Sequence, residues 1–182
     1  MKKFWKKVSI KRLSSNSFQI MLDDRILQTP LKRKLILPNL NLTKEIVKEW
    51  DQDSKNRIIE SMIFYSLIST ALDKIIDNRN LYINDILNYI DTDLVCYRAE
   101  NPKELVELQK NKWDPIILFI EKYIGTKVQV FKGILPKKQH TTVYGKLNNL
   151  IKQFDIFEIS ALHRITNITG SVFLSLCVLK KK

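Results

Sequence analysis

Phe18-Gln19-Ile20-Met21-Leu22-Asp23-Asp24-Arg25-Ile26-Leu27-Gln28-Thr29-Pro30 decides the fold of the first third of this chain. Phe18, Ile20 and Leu22 alternate with polar or smaller positions, the period-two pattern of a strand with one buried face. Asp23-Asp24 supplies a two-residue turn into a second strand, Arg25 to Gln28, which Thr29-Pro30 ends. Upstream, Trp5, Val8 and Ile10 mark another strand over Trp5 to Lys11, with one slip in the alternation. Downstream, Leu35-Ile36-Leu37 is a short fourth run closed by Pro38. These pieces predict a small meander with one apolar face. So small a sheet is marginal in water and needs a helix against it. Leu42, Ile46, Val47 and Trp50 lie on one helical face and supply that helix.

The rest of the chain reads helical. From Ser61 to Ile76 apolar residues fall in two adjacent rows, Ile63-Leu67-Ala71-Ile75 and Phe64-Ile68-Leu72-Ile76, which predicts a deeply buried helix. Another covers Leu81 to Ile90. In Asn101-Pro102-Lys103-Glu104 the asparagine is expected to cap a helix, with proline at its first position. That helix carries Leu105, Leu108, Trp113, Ile116, Ile117, Ile120 and Ile124. Pro115 is expected to kink or restart it, and Gly125 to end it. Lys127 to Phe131 alternates as a strand would. Tyr144, Leu147, Ile151 and Phe154 mark one further helix, and Phe157, Ala161 and Ile165 the next. Gly170-Ser171 opens the last. The fold class is therefore α+β: a strand-rich meander packed on a helix, then a multihelical part. The expected domains are 1–55 and 56–182, with the boundary near Gln52 to Glu60.

Composition narrows the function. The chain has 182 residues, 45% hydrophobic and 27% charged, an ordinary globular mix. Its net charge of +12 is uneven. Residues 1–50 hold 12 Lys and Arg against 4 Asp and Glu, residues 51–130 hold 10 against 13, and residues 131–182 hold 9 against 2. Such a field favours acidic partners without naming one. Lysine supplies 24 of the 31 cations. Base and phosphate readout leans on the rigid arginine fork, so this balance disfavours specific nucleic-acid recognition. The run Val172 to Leu179 is far short of the ~20 residues that cross a bilayer. The basic start, Met1 to Lys7, has no apolar run behind it and does not read as a signal peptide. Cys96 and Cys177 lie far apart in apolar surroundings and read as buried, reduced thiols, which suits a bacterial cytoplasm or a mitochondrial matrix.

Catalytic signatures are missing from the reading. The glycines are isolated at 125, 133, 145 and 170, so no phosphate loop is built. Neither His140 nor His163 has a cysteine at metal-binding spacing. A Cys96–His163 nucleophile pair is conceivable, but two lone residues make no signature. Asp91 and Asp93 point to different sides of a helix and suit caps or turns better than paired acid–base work. No catalytic residue, cofactor or metal is expected.

One stretch is distinctive: Thr92-Asp93-Leu94-Val95-Cys96-Tyr97-Arg98-Ala99, followed by Trp113-Asp114-Pro115. Together with Phe4-Trp5-Lys6, Phe18 to Arg25, Leu27-Gln28-Thr29-Pro30, Leu35-Ile36-Leu37-Pro38, Glu49-Trp50-Asp51, Thr70-Ala71-Leu72-Asp73, Gly133-Ile134, Ala161-Leu162-His163 and Thr169-Gly170-Ser171, it resembles the ATP synthase assembly chaperones that bind the alpha subunit. The resemblance implies an α/β N-terminal domain joined to a helical one. It also implies an ATP-independent, non-enzymatic function: covering a free alpha subunit until the beta subunit displaces the cover. The resemblance implies a further acidic helical segment; the sequence stops at Lys182, so either it is truncated there or that segment is expected to have been lost. Turn positions around Ser14 to Ser17 hold Ser and Asn where the family favours glycine.

The candidate partner-binding residues are Tyr97, Arg98, Trp113, Asp114 and His163, because interfaces favour Trp, Tyr and Arg anchors. Trp113 packed between helices, Asp114 capping the Pro115 turn and His163 as a satisfied core histidine are the bland alternatives. The chain is expected to be a monomer, without membrane insertion and without a specific nucleic-acid partner. The competing readings are a basic, non-specific nucleic-acid-binding module, supported by charge alone, and a small hydrolase on Cys96 and His163, which lacks an oxyanion element.

Overall fold

The computed structural model describes residues 4–52 and 62–180. They divide into two compact units, Met1–Asp77 and Asn78–Lys182.

The N-terminal unit opens with the meander. Strands β1 (Val8–Ser14), β2 (Ser17–Leu22) and β3 (Arg25–Ile26) pair antiparallel in that order. The Leu22↔Arg25 and Met21↔Ile26 pairs place Asp23-Asp24 as the two-residue turn, and Asp23 takes the positive φ of 52° that the turn needs. The Asp23 carboxylate also accepts the amides of Lys6 and Lys7, the latter at 2.8 Å. This explains the slip in the alternation. The Lys6 and Lys7 amides are turned to a side chain, and only the Lys7 carbonyl still meets the neighbouring strand's end, accepting the Asp23 amide at 2.9 Å. The strand starts at Val8 and Trp5 precedes it. Leu35 and Leu37 are fully buried, but the expected fourth strand is reduced to single bridges, Gln28↔Lys34 and Phe18↔Leu37.

Helix α1 (Leu40–Asp51) covers the sheet and is capped by Asn39, whose side chain accepts from the Leu42 amide at 2.8 Å. Trp50 packs between Trp5, tilted, and Tyr65, edge to face, with centroids 4.9 and 5.1 Å away. Helix α2 (Ile63–Thr70) continues into a π-helical turn over Ala71–Ile75. Burial here is narrower than the two apolar rows imply: Tyr65, Ile68, Ala71 and Ile75 are buried, while Ile63, Phe64 and Ile76 are exposed. The wide turn advances the register, so neither row keeps to one face.

The segment belongs to the N-terminal unit through specific bonds. Glu49 accepts the Phe64 and Tyr65 amides at 2.8 and 2.9 Å, serving the orphan donors of α2. Asp73 accepts the Thr29 hydroxyl at 2.6 Å and the Leu31 amide at 3.1 Å. Most residues of the expected boundary, near Gln52 to Glu60, lie outside the described residues. The division between units falls later, at Asp77, beside the non-helical Asn78 inside α3 (Ile76–Leu87).

The C-terminal unit is mainly helical. Helix α4 (Lys103–Ile124) continues through Pro115, so the expected restart does not occur. Its start also differs from expectation. Pro102, after a cis peptide bond from Asn101, occupies the cap in extended geometry, and Asn101 makes no cap. Gly125, at φ 68°, ends the helix in the left-handed region that glycine tolerates best. Helices α5 (Thr141–Ile151), α6 (Ile156–Thr169) and α7 (Val172–Leu179) follow. Asp155 and Glu158 form a reciprocal capping box on α6. The buried face of α6 is Ile159, Leu162 and Thr166, offset from the expected Phe157, Ala161 and Ile165, which are half-buried. No helix among the described residues is long and apolar enough to cross a membrane.

Candidate functional site

Four of the five candidate residues meet around one short parallel pair. Strand β4 (Tyr97–Arg98) pairs with β5 (Phe131–Lys132), Tyr97 opposite Phe131 and Arg98 opposite Lys132. Of the strand expected over Lys127 to Phe131 only Phe131 is in β5; Lys127 to Val130 form no regular element. Two turns of 3₁₀ helix, Ile90–Thr92 and Leu94–Cys96, lead the chain into β4.

Arg98 lies at the centre, with its side chain only 10% exposed. One guanidinium nitrogen donates to the Val95 carbonyl, and the other to Asp114 Oδ1 at 2.9 Å. The guanidinium carbon also sits 5.1 Å from the centre of the Trp113 ring. This is a cation–π contact, which suits the planar, weakly hydrated arginine head. Trp113 and Asp114 are half-buried on α4. The sequence motif Trp-Asp-Pro is therefore a socket for Arg98: an aromatic face beside a carboxylate. Pro115 is exposed.

Tyr97 works on the other side of the pair. Its hydroxyl donates to the Asp91 carbonyl and accepts the Lys137 amide at 2.9 Å. Its ring lies 5.5 Å from that of Phe131. Asp91 uses its carboxylate on the Gln139 amide, at 2.9 Å. Gln139 is buried and closes the base of the same segment. Its side chain accepts from the Gln129 amide at 2.9 Å and donates to the Gln129 carbonyl at 2.7 Å, reproducing a strand pair with a side chain. The Gly133 amide donates to the Arg98 carbonyl at 3.0 Å, and Gly133 has a φ of 81°. Residues 129–139 are thus held at both ends and along one side by Tyr97, Arg98 and Gln139.

His163 has different partners. Its Nε2 lies 2.7 Å from Asp85 Oδ2, and its ring stands edge-on to Tyr82 at 4.9 Å. This half-buried histidine ties α6 to α3. The conceivable pairing with Cys96 gains no support: Cys96 is fully buried, and burial, with the nearby Asp93, pushes its thiol well above the ordinary range, whereas a nucleophile needs the opposite. Burial also raises Cys177.

Asp93 is the residue whose importance sequence reasoning underrated. It is completely buried and accepts from the Ser171 hydroxyl at 2.6 Å, the Phe173 amide at 3.1 Å and the Val95 amide at 3.2 Å. It thereby caps the turn before β4 and anchors the start of α7, joining the Thr92 to Ala99 block to Gly170-Ser171. Burial drives its carboxyl up to about 6, against the pull of those donors. Asp93 serves as a cap, as expected, whereas the Asp91 carboxylate is spent on the distant Gln139 amide and caps nothing nearby. Gln109, from α4, accepts the Ala99 amide at 2.7 Å and completes the frame. Among the described residues, no group of three or more His, Cys, Asp or Glu could hold a metal ion.

Chemically, the arrangement is a scaffold: fixed hydrogen bonds, a desolvated arginine and a presented loop. Residues 2–121 match the family described as ATP12 chaperone protein. The mitochondrial protein atp12 of Schizosaccharomyces pombe is 24% identical over 193 residues, spanning 98% of this chain. The chain spans 65% of that relative's length. The crystal structure of Atp12 from Paracoccus denitrificans superposes with a TM-score of 0.88 at 29% identity, covering 99% of this chain and 77% of that one. A protein from Agrobacterium tumefaciens superposes at 0.90, also at 29% identity, with 99% and 68% covered. An α+β chain that matches this family over residues 2–121, more than half of its length, and these structures over nearly all of it belongs to the ATP12 chaperone family.

Proposed function

We propose that this chain is an ATP-independent assembly chaperone of the F-type ATP synthase, and that its client is the free alpha subunit. Membership of the ATP12 chaperone family carries the reading. The physical logic is general. A ring subunit made before its neighbours exposes an apolar face that its final partner will cover, and such a face aggregates. A temporary cover must bind well enough to keep the free population low, yet more weakly than the beta subunit that replaces it. No bond need be made or broken, and no nucleotide is required. In this reading the chain works as a soluble monomer in a bacterial cytoplasm or a mitochondrial matrix, without a specific nucleic-acid partner.

Tyr97, Arg98, Trp113, Asp114 and His163 serve partner binding in this reading. Since Arg98 is nearly buried and the Tyr97 hydroxyl is already bonded, those two act chiefly by shaping the surface beside them.

The test is suppression of aggregation. Isolated alpha subunit is warmed without nucleotide, with and without this chain, and light scattering is followed. The expected result is a stoichiometric fall in scattering. Unchanged scattering with the chain in excess contradicts the proposal.

A further inference from the structure

We infer that the loop tip Ile134-Leu135 is the element by which this chain grips its client, and that it seats in an apolar recess rimmed by carboxylates. The inference rests on the alpha-subunit reading above and names the contact within it.

Ile134 is 92% exposed and Leu135 74%, with Val130 also exposed at 44%. Single exposed aliphatic residues are commonplace. Two adjacent ones at the apex of a braced loop are not explained by folding, since they bury almost nothing. The bracing is extensive: the Gln129–Gln139 closure, the Tyr97 hydroxyl on Lys137, and the Gly133 amide on the Arg98 carbonyl. A loop fixed in this way loses little freedom when it docks, so more of its contact energy appears as affinity. The residues that the sequence singled out, Tyr97 and Arg98, are thus positioning residues for the tip.

Charge points to the occupant. Residues 122–154 contain seven lysines and no Asp or Glu. Lys132, Lys137 and Lys138 flank the tip, all exposed. Lys137 lies over the Phe131 ring, 5.8 Å from its centre. Among the described residues none of these three has a carboxylate partner. An apolar point flanked by such cations complements an apolar recess with an acidic rim, and the rim charges steer the encounter. A lipid surface is the less fitting target, because the tip carries no exposed aromatic: Phe131 is packed on Tyr97.

The experiment measures the affinity of the full chain for isolated alpha subunit, with thermal midpoints recorded in parallel. Ile134→Ser with Leu135→Ser is expected to weaken binding about a hundredfold, the scale for exposing two aliphatic side chains that binding had buried. Ile134→Met with Leu135→Met, and separately Ile168→Ser on α6, are expected to bind as the parent does. Lys132, Lys137 and Lys138 changed together to Gln should lower the association rate and flatten its salt dependence. Midpoints should stay within a degree or two of the parent, since the side chains touch little. Parent binding with an unimpaired serine variant overturns the tip assignment and leaves the chaperone reading intact. No parent binding overturns both. Tip-dependent sedimentation with phosphatidylcholine–phosphatidylserine vesicles, with alpha binding unaffected by the serine changes, overturns it in favour of a membrane.

Discussion

Arg98→Met separates a structural arginine from a contact arginine. The substitution keeps most of the apolar stem and removes the guanidinium. Three interactions go with it. The Val95 carbonyl, in a fully buried residue, loses its donor, which costs about 1–3 kcal/mol. The contact over Trp113 is worth roughly 0.5–2 kcal/mol. The pair with Asp114 adds less than about 1 kcal/mol, because the Asp114 side chain is 44% exposed and solvent screens it. The total is about 3 kcal/mol, most of it from the buried carbonyl and the ring. Urea unfolding followed by circular dichroism should show the midpoint fall by about 1–2 M at unchanged slope. Asp114→Asn should cost well under half as much. Hydrogen exchange at the Gly133 amide, which bonds the Arg98 carbonyl, should speed up in Arg98→Met. If Arg98→Met unfolds within about 0.5 kcal/mol of the parent yet binds client poorly, the buried-socket reasoning is refuted and Arg98 is a direct contact.

Trp50→Ala should cost about 3–5 kcal/mol, since its ring is packed between Trp5 and Tyr65. Trp113→Ala should cost distinctly less, because that ring is only half-buried; equal losses in calorimetry would contradict the burial pattern. Asp93 gives a pH signature. Its carboxyl is raised from 3.8 to about 6, so between those values the native state holds a proton that the unfolded chain has released. Its contribution to stability is therefore greatest at low pH and falls as pH rises through that window, by roughly 3 kcal/mol in all. The stability of the parent relative to Asp93→Asn should accordingly grow from pH 7 to pH 5 in thermal melts, and a shrinking difference would be wrong in sign. Asp155→Ala removes the α6 capping box and should cost about 1 kcal/mol by urea titration, with Asp155→Ser close to neutral.

Local chemistry was legible and distant chemistry was not. The meander could be read because period-two alternation and the Asp23-Asp24 turn are signals within a few residues of each other. The slip at Trp5 was visible, but its cause, the Asp23 carboxylate reaching back 17 residues to Lys6, was not. The α6 face was misjudged because Ile156, Phe157, Ile159, Ala161, Leu162, Ile165 and Ile168 are apolar around most of the helix, so periodicity alone could not choose a side. At the candidate site, Tyr97, Arg98, Trp113 and Asp114 were singled out from their motif, and the structure brings those four together. The Gln139 closure, the Asp93 anchor and the Thr29–Asp73 bond could not be derived, because nothing in spacing marks a glutamine or aspartate that acts across a fold. Gly133-Ile134 belongs to the motif, but that Ile134-Leu135 forms a presented tip is not legible in it: exposure is decided by what the rest of the chain leaves uncovered.

Displacement tests the central claim most directly. Isolated alpha subunit is bound to the immobilised full chain without nucleotide, and the beta subunit is then added. The account requires that alpha subunit be retained first and released as beta subunit is titrated in, with an equal amount of bovine serum albumin releasing none. Failure to retain alpha subunit, or retention that beta subunit cannot reverse, would contradict it.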